Sequence, residues 1–418
     1  MTMDYIKGFE NKEYGLLGEH LSHSFSPQIH REMADYPYEL YEVEREALGE
    51  WVKGNSLSGY NVTIPYKQEI MKYLDELSPA AESIGAVNTV VRKPDGRLLG
   101  DNTDYYGFKY MLSSLGVDIK GKKAIILGNG GASKTVQAVL KEQGAEIVVF
   151  DLVGENTYST VNHHADATLV VNATPVGMYP NTGQSLVDLS IFTECKGVAD
   201  LIYNPARTAL LLQAESLGIP TVNGLSMLVA QAKRAAELFT DTELDDAVIE
   251  KIRKKVASET ENLILVGMPG CGKTTIGKLL SEKMNRKFVD GDEEITLSSG
   301  RKPSEIINSD GERAFRMVET ETLKGMCKQS SSVIATGGGV VTIHDNLDIL
   351  RQNGRIIFIE RDIDVLAKDD RPLSVNLTEL YEKRLPLYNK FSDRTVDGNA
   401  SAEVVAERVL SAFEEEFK

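Results

Sequence analysis

The segment GMPGCGKT, residues 267–274, constrains this chain more than any other stretch. It fits G-x-x-x-x-G-K-[ST], follows the apolar run NLILV and opens the amphipathic run TIGKLLSEKM. A strand, a glycine turn and a helix start in that order form a P-loop, where backbone N–H groups and the helix dipole face phosphate oxygens. Gly270, Cys271, Gly272 and Thr275 then belong to the cradle, Lys273 reaches the β- and γ-phosphates, and Thr274 ligates Mg2+. A chance glycine turn would not bring both flanks with it. A nucleoside triphosphate is expected here.

The rest of the chain agrees with such an architecture. Its 418 residues allow two to four domains of roughly 100–200 residues each. Short β-branched runs alternate with longer helical patterns, which predicts an α/β fold with parallel sheet. Candidate strands are YNVTI (60–64), KAIILG (123–128), EIVVFD (146–151), ATLVVNA (167–173), GVADLIY (197–203), NLILVG (262–267), SVIATG (332–337) and RIIFIE (355–360). The charged helical run DTELDDAVIEKIRKKVASETE marks a seam near residue 258. With 46 Lys+Arg against 62 Asp+Glu, the net charge of -16 argues against a general nucleic-acid or anionic-membrane binder. Anionic ligands must therefore be held by local Arg, Lys and N–H groups. Cys195, Cys271 and Cys327 have no CxxC spacing, which excludes a disulfide framework and a zinc site. The start has no apolar signal region and no run approaches ~18 apolar residues, so a cytoplasmic protein is expected.

Downstream of the P-loop, KFVDGDEEI leaves Asp290 and Asp292 two residues apart, pointing the same way on an extended strand. One could serve a metal and the other an acceptor hydroxyl; read alone, they could also be a solvated acidic turn. In GERAFRMVE, Arg316 and Glu319 are i, i+3 on a helix, so Glu319 can orient the guanidinium, while Phe315 packs. Gly337, Gly338 and Gly339 follow strand SVIATG, where doubly wound sheets bind ligands. DDRPLS holds Arg371 in a polar, lid-like stretch, and EKRLPLYNKF carries Arg384.

In the first half, KAIILGNGGASKTVQAVLKEQGAEIVVFD reads as strand, glycine turn, helix, strand. Gly128 and Gly130 fit the start of a dinucleotide fingerprint, with Ser133 at its third position. Asp151 ends the second strand, where an acid binds ribose hydroxyls or merely closes a turn. Only a short segment separates Asp151 from the next strand, too little for a full helical crossover. Lys67 follows GYNVTIPY, and Asp104 sits in GDNTD; each alone is more often a solvated charge or a turn residue. Together with EHLSHSFSPQIH and SIGAVNTVV they look like a site for a polyhydroxylated anion. A metal at His20, His23 and His30 is disfavoured, because no acidic or Cys partner has ligand spacing.

Residues 262–418 resemble shikimate kinase through GMPGCGKTT, FVDGDEEI, GERAFRMVE, TGGGVV, DRPL and KRLPLY, in the family's order. The resemblance implies phosphoryl transfer from ATP to shikimate. Asp292 would bind the ring diol, Arg316 and Arg384 the carboxylate, Gly338 would close the pocket, Asp290 would act in the Mg2+ shell, and Arg371 would meet the transferring phosphoryl. Lys368 stands where the family often has a further Arg.

Residues 14–256 resemble shikimate dehydrogenase through SHSFSP, GYNVTIPYK, GAVNT, GDNTD, GNGGAS, NATPVGM, DLIYNP and GLSMLVAQ. That implies a two-lobed fold: a substrate domain over 1–106 completed by helices at 226–257, and a Rossmann-like dinucleotide domain over 107–225, followed by the P-loop kinase domain over 262–418. Lys67 would supply the proton in hydride transfer between a nicotinamide and 3-dehydroshikimate, with Asp104 beside it. Ser24, Ser26, Thr63, Asn88, Tyr203 and Gln231 would line the substrate pocket. Gly128, Gly130, Gly131 and Ala132 would carry the pyrophosphate, with Gly224 near the nicotinamide. Family members that use NADP usually have Asn-Arg-Thr after the second strand, whereas Asp151-Leu152-Val153 stands here. A carboxylate facing a 2′-phosphate costs on the order of several kcal/mol, so NAD is preferred over NADP. The two resemblances together imply consecutive steps to shikimate 3-phosphate, on the route to aromatic amino acids. The alternatives are a kinase with a non-catalytic, ligand-sensing first half, or a dehydrogenase that also takes quinate.

Overall fold

The computed structural model describes residues 3–21, 24–366 and 377–417; His23, Lys368 and Arg371 lie outside the described residues. The chain divides into two compact units, one of Met1–Val176, Ser185–Tyr203 and Gln213–Arg253, the other of Gly177–Gln184, Asn204–Leu212 and Lys254–Lys418.

The first unit holds two sheets. One is formed by β1 (Tyr14–Gly18), β2 (Tyr38–Glu42), β3 (Gly59–Val62), β4 (Glu76–Leu77), β5 (Thr89–Arg92) and β6 (Leu98–Asp101), in the order β2-β1-β3-β5-β6-β4. It is mixed: β5 runs antiparallel to β3 and β6. Every residue of β1 is buried, whereas β2 exposes most of its side chains, including Glu39, as suits an edge strand. The helix Leu225–Thr240 returns to this sheet, where Phe239 stacks on Tyr14 with ring centroids 4.8 Å apart and its carbonyl accepts from the Tyr14 hydroxyl.

The second sheet contains β7 (Lys123–Leu127), β8 (Glu146–Phe150), β9 (Leu169–Asn172), β10 (Gly197–Asp200) and β11 (Thr221–Asn223), all parallel, in the order β11-β10-β9-β7-β8. The order reverses between β7 and β9, which places a ligand crevice at the carboxyl ends of those strands. The helix Gly131–Glu142 joins β7 to β8. Between β8 and β9 there is only a 3-10 turn, Tyr158–His164, capped by Thr157 and Thr160. The short spacing read from the sequence thus excludes an α-helix at this crossover.

The second unit is built on β12 (Asn262–Val266), β13 (Lys287–Asp290), β14 (Ser332–Ala335), β15 (Gly354–Glu360) and β16 (Arg394–Asp397), parallel throughout, in the order β13-β14-β12-β15-β16. β12 is buried along its whole length, as expected of a central parallel strand covered on both faces. Its carboxyl end and that of the neighbouring β14 open the P-loop and the triple glycine side by side. Among the described residues no helix is long and apolar enough to cross a membrane.

One expectation is corrected here. Asp290 and Asp292 do not share a strand face. β13 stops at Asp290, whose Oδ1 accepts from the N–H groups of Asp292 (3.0 Å) and Glu293 (3.4 Å), and Asp292 stands in the first turn of the helix Gly291–Ser299. An aspartate followed by Gly and then Asp, Glu and Glu is a strong N-cap signal, because a carboxylate satisfies free N–H groups and acids suit the helix dipole.

Candidate active sites

In the first unit, the turn after β3 sets up Lys67. Thr63 donates its N–H to the Leu17 carbonyl and its carbonyl accepts from Tyr66, while the Lys67 carbonyl accepts from Val87 at 2.7 Å. The Lys67 backbone is thus pinned and its Nζ lies 2.7 Å from Asp104 Oδ2. Asp104 is buried in the first turn of the helix Thr103–Ser114. Asn88 fixes that turn: its Oδ1 accepts from the Thr103 N–H at 2.7 Å. Gln231, on the helix Leu225–Thr240, packs against Gly107 on the Asp104 helix, where an added Cβ would come 3.1 Å from the Gln231 Cβ. Among the described residues the buried Gln231 Oε1 has no hydrogen-bond partner. Such an acceptor costs free energy unless a donor reaches it, and a polyol supplies one. Ser24 Oγ accepts from the Ser26 N–H at 3.2 Å, and the intervening Phe25 ring lies 5.6 Å from that of Tyr203. His30 is occupied otherwise: it stacks on Tyr38 at 3.9 Å, its Nδ1 is 2.7 Å from the Tyr36 hydroxyl, and burial pushes its pKa down to about 3.

The dinucleotide crevice follows the β7 end. Gly128 adopts φ 99° and an added Cβ would come 2.5 Å from Thr174, so only glycine fits this turn. Around Gly130 and Gly131 there is open space within 4 Å of an added Cβ, and the helix that starts at Gly131 has no side-chain cap. Ala132 is exposed in that same first turn. Free N–H groups over an open cradle fit a pyrophosphate. Ser133 replaces the third glycine without blocking the packing: it is fully buried, and its Oγ accepts from Gln137 at 3.1 Å. Asp151 lies just past β8, with Leu152 and Val153 exposed beyond it (78% and 80%). Gly224 caps the helix Leu225–Thr240 so close to the Leu201 carbonyl that no side chain fits.

In the second unit, Gly270 and Gly272 both have positive φ, and Lys273 and Thr274 open the helix Lys273–Met284, with Thr275 next. Cys271 is fully buried beneath the loop. Lys273 Nζ donates to the carbonyls of Gly267 (2.8 Å) and Met268 (3.0 Å). The Thr274 hydroxyl donates to Asp290 Oδ2 at 2.8 Å. A hydroxyl and a carboxylate oxygen this close fit Mg2+, which is held by one or two carboxylates plus substrate phosphates rather than an all-protein cage.

Beside the P-loop lies a cavity of about 630 Å³, lined among others by Asp292, Lys302, Arg316, Glu319, Gly338 and Arg384. Arg316 is buried and paired with Glu319 (2.7 Å) and Glu312 (3.1 Å), as the i, i+3 spacing of the first pair implied. Arg384 donates to the Gly338 carbonyl at 3.1 Å. Burial pushes the Glu319 carboxyl up, and the nearby Asp292 charge adds to this against the opposing pull of Arg316. Burial lowers the Arg384 guanidinium, and Arg316 adds to that. Two buried cations beside one another are costly, and an anionic ligand relieves that cost. Glu312, Lys302 and Tyr388 were not singled out from sequence. Glu312 and Tyr388 carry a usable signal, each standing four residues from a cavity arginine; Lys302 carries none.

Residues 269–414 match the shikimate kinase family, and residues 16–90 match the shikimate dehydrogenase substrate binding domain. A shikimate dehydrogenase (NADP(+)) from Clostridium beijerinckii is 37% identical over 258 residues, spanning 57% of this chain and 95% of the relative. A solved chorismate mutase/shikimate 5-dehydrogenase fusion from Clostridium acetobutylicum superposes with TM-score 0.55 at 38% identity, covering 59% of this chain and 97% of that one. Shikimate 5-dehydrogenase from Listeria monocytogenes, solved with shikimate and NAD, gives TM-score 0.53 at 34% identity, covering 58% and 96%. The chain belongs to the shikimate dehydrogenase family and carries a shikimate kinase domain behind it, an oxidoreductase joined to a phosphotransferase of the shikimate pathway.

Proposed function

We propose that the first unit reduces 3-dehydroshikimate to shikimate and that the second phosphorylates shikimate at its 3-hydroxyl. The observation that carries the reading is the 2.7 Å contact between Lys67 Nζ and Asp104 Oδ2. NAD(P)H, when bound, supplies the hydride, and the ring carbonyl becomes an alkoxide. Lys67 stabilises that charge and gives up a proton to it. Asp104 holds the ammonium in place and accepts from a neighbouring substrate hydroxyl, as do Asn88 and Gln231. Ser24, Ser26, Thr63 and Tyr203 face the carboxylate end. Gly128, Gly130, Gly131 and Ala132 hold the pyrophosphate, Gly224 approaches the nicotinamide, and Asp151 takes the ribose hydroxyls, which favours NAD over NADP.

In the second unit the 3-hydroxyl attacks the γ-phosphorus of ATP, the bond to the β,γ-bridging oxygen breaks, and ADP leaves. Asp292 orients the hydroxyl and receives its proton. Arg316 and Arg384 hold the carboxylate as planar, multi-donor groups. Lys273 follows the charge on the β- and γ-phosphates, Thr274 and Asp290 would hold Mg2+, which would neutralise phosphate charge, and Arg371, outside the described residues, would meet the transferring phosphoryl. Catalysis here is positioning plus charge stabilisation.

The test is product analysis by mass spectrometry, with 3-dehydroshikimate and Mg-ATP given together with NADH or NADPH. Shikimate 3-phosphate, forming faster with NADH, is the expected outcome. The 3-10 turn in place of a crossover helix favours a second reading, a first unit that senses ligand without turnover. If added shikimate is phosphorylated but 3-dehydroshikimate is not consumed, that second reading replaces the first. Faster turnover of quinate than of shikimate would make the first unit a quinate dehydrogenase.

A further inference from the structure

The helix Leu377–Phe391 carries Arg384 and, one turn later, Tyr388. Tyr388 is fully buried and its ring lies 14° from parallel to Phe358 on β15, with centroids 4.8 Å apart. Its hydroxyl donates to the Gly338 carbonyl at 2.5 Å, the same oxygen that accepts from Arg384 Nη1 at 3.1 Å. It also lies 3.9 Å from the Sδ of Met268, whose carbonyl accepts from Lys273. One phenol thus touches the triple glycine of the acceptor cavity and the first turn of the P-loop.

We infer that Tyr388 is a positioning residue for the acceptor: its hydroxyl anchors the Gly338 peptide and so leaves Arg384 free to bind the substrate carboxylate. The inference rests on the kinase reading above. The physical argument is a competition for one guanidinium. The half-buried Gly338 carbonyl accepts from both groups, and without the Tyr388 donor Arg384 would be its one remaining partner of the two and would stay committed to it. Burial raises the phenol's pKa and keeps its proton in place, against the opposing pull of Arg384, which also hydrogen-bonds the phenol, and of Arg316. Its ring is fixed by stacking rather than by the ligand, so the anchor persists whether or not substrate is present. A side chain at position 338 has no room, since an added Cβ would come 2.8 Å from Pro269 on the P-loop side.

The experiment is steady-state kinetics of shikimate phosphorylation by the full chain and by Tyr388→Phe. Turnover of shikimate by the unaltered chain establishes the kinase reading independently. Tyr388→Phe is then expected to raise the shikimate KM five- to tenfold, on the order of the loss of one hydrogen bond to a charged group, with kcat within about threefold and the ATP KM within about twofold. Replacement of Tyr388 by 3-fluorotyrosine, which keeps the ring and the donor, is expected to hold the shikimate KM within about twofold of the unaltered chain. An unchanged shikimate KM in Tyr388→Phe, or an equal rise in the ATP KM, overturns the inference, even if the melting temperature falls. If Tyr388→Phe does not fold, the fluorinated protein decides alone: a raised shikimate KM in the presence of a stronger donor overturns it, and a KM equal to or below that of the unaltered chain supports it.

Discussion

Asp151 and His30 show how single side chains set measurable behaviour. The Asp151 carboxylate is held at its strand end by the Leu152 N–H at 2.7 Å, and no basic residue follows within Leu152-Val153-Gly154. Asp151→Ala combined with Leu152→Arg is expected to move the ratio of kcat/KM values toward NADP by at least about tenfold, the scale of a like-charge contact removed and an opposite one added. A ratio that stays put sinks the assignment of this strand end to the ribose. His30 acts on stability instead. Its folded pKa of about 3 lies below its ordinary value of 6.5, so the fold holds it neutral while the unfolded chain takes up a proton as pH falls. Its contribution is present above about pH 6.5 and declines toward pH 3, by about 2 kcal/mol between pH 7 and pH 5. Urea unfolding of the full chain and of His30→Asn at both pH values checks this: the variant's first transition is expected to have a pH dependence smaller by about that amount. The lysine–aspartate pair was legible in sequence only through its family motifs, because the two residues stand 37 apart and each alone resembles an ordinary surface charge.

At the scale of elements, the strands were the readable part. NLILV and KAIIL are apolar runs ended by glycine, and a buried parallel strand needs little more. The start of the helix Gly291–Ser299 was misread because alternation on a strand and capping of a helix make rival claims on the same acidic residues. Asp290 therefore has two roles, cap and proposed metal ligand, and two substitutions separate them. Asp290→Asn keeps a capping oxygen and is expected to leave the kinase unit's stability within a few tenths of a kcal/mol while kcat falls by at least about a hundredfold. Asp290→Ala is expected to lose activity and a further ~1 kcal/mol of stability. Thermal unfolding beside a Mg2+ titration of activity distinguishes the two, and equal stability in both variants would refute the capping role. For Tyr388 the sequence offers only its four-residue spacing from Arg384; its partner Gly338 is 50 residues away, and nothing in LPLY signals that contact.

For the whole molecule, the glycine clusters, the helical seam and the order of motifs already indicated two nucleotide sites in one chain. The Lys273 side chain belongs wholly to the second unit. Lys273→Ala is accordingly expected to abolish phosphorylation, by at least about a thousandfold, and to leave oxidation of shikimate by NAD(P) within about twofold. A parallel loss of oxidation, read from nicotinamide absorbance, would mean that the two chemistries are coupled. The division of a single chain into two compact units also bears on supply and demand inside a cell. Every ribosome pass makes both catalysts in equal number, so neither a promoter nor selective degradation of one messenger can raise the second activity over the first. On the proposed reading, a first unit that outruns the second lets its product accumulate, and one that lags leaves the second idle. The balance must then be written into turnover numbers and affinities, which makes each substitution in either cavity a change in the flux ratio as well as in one enzyme.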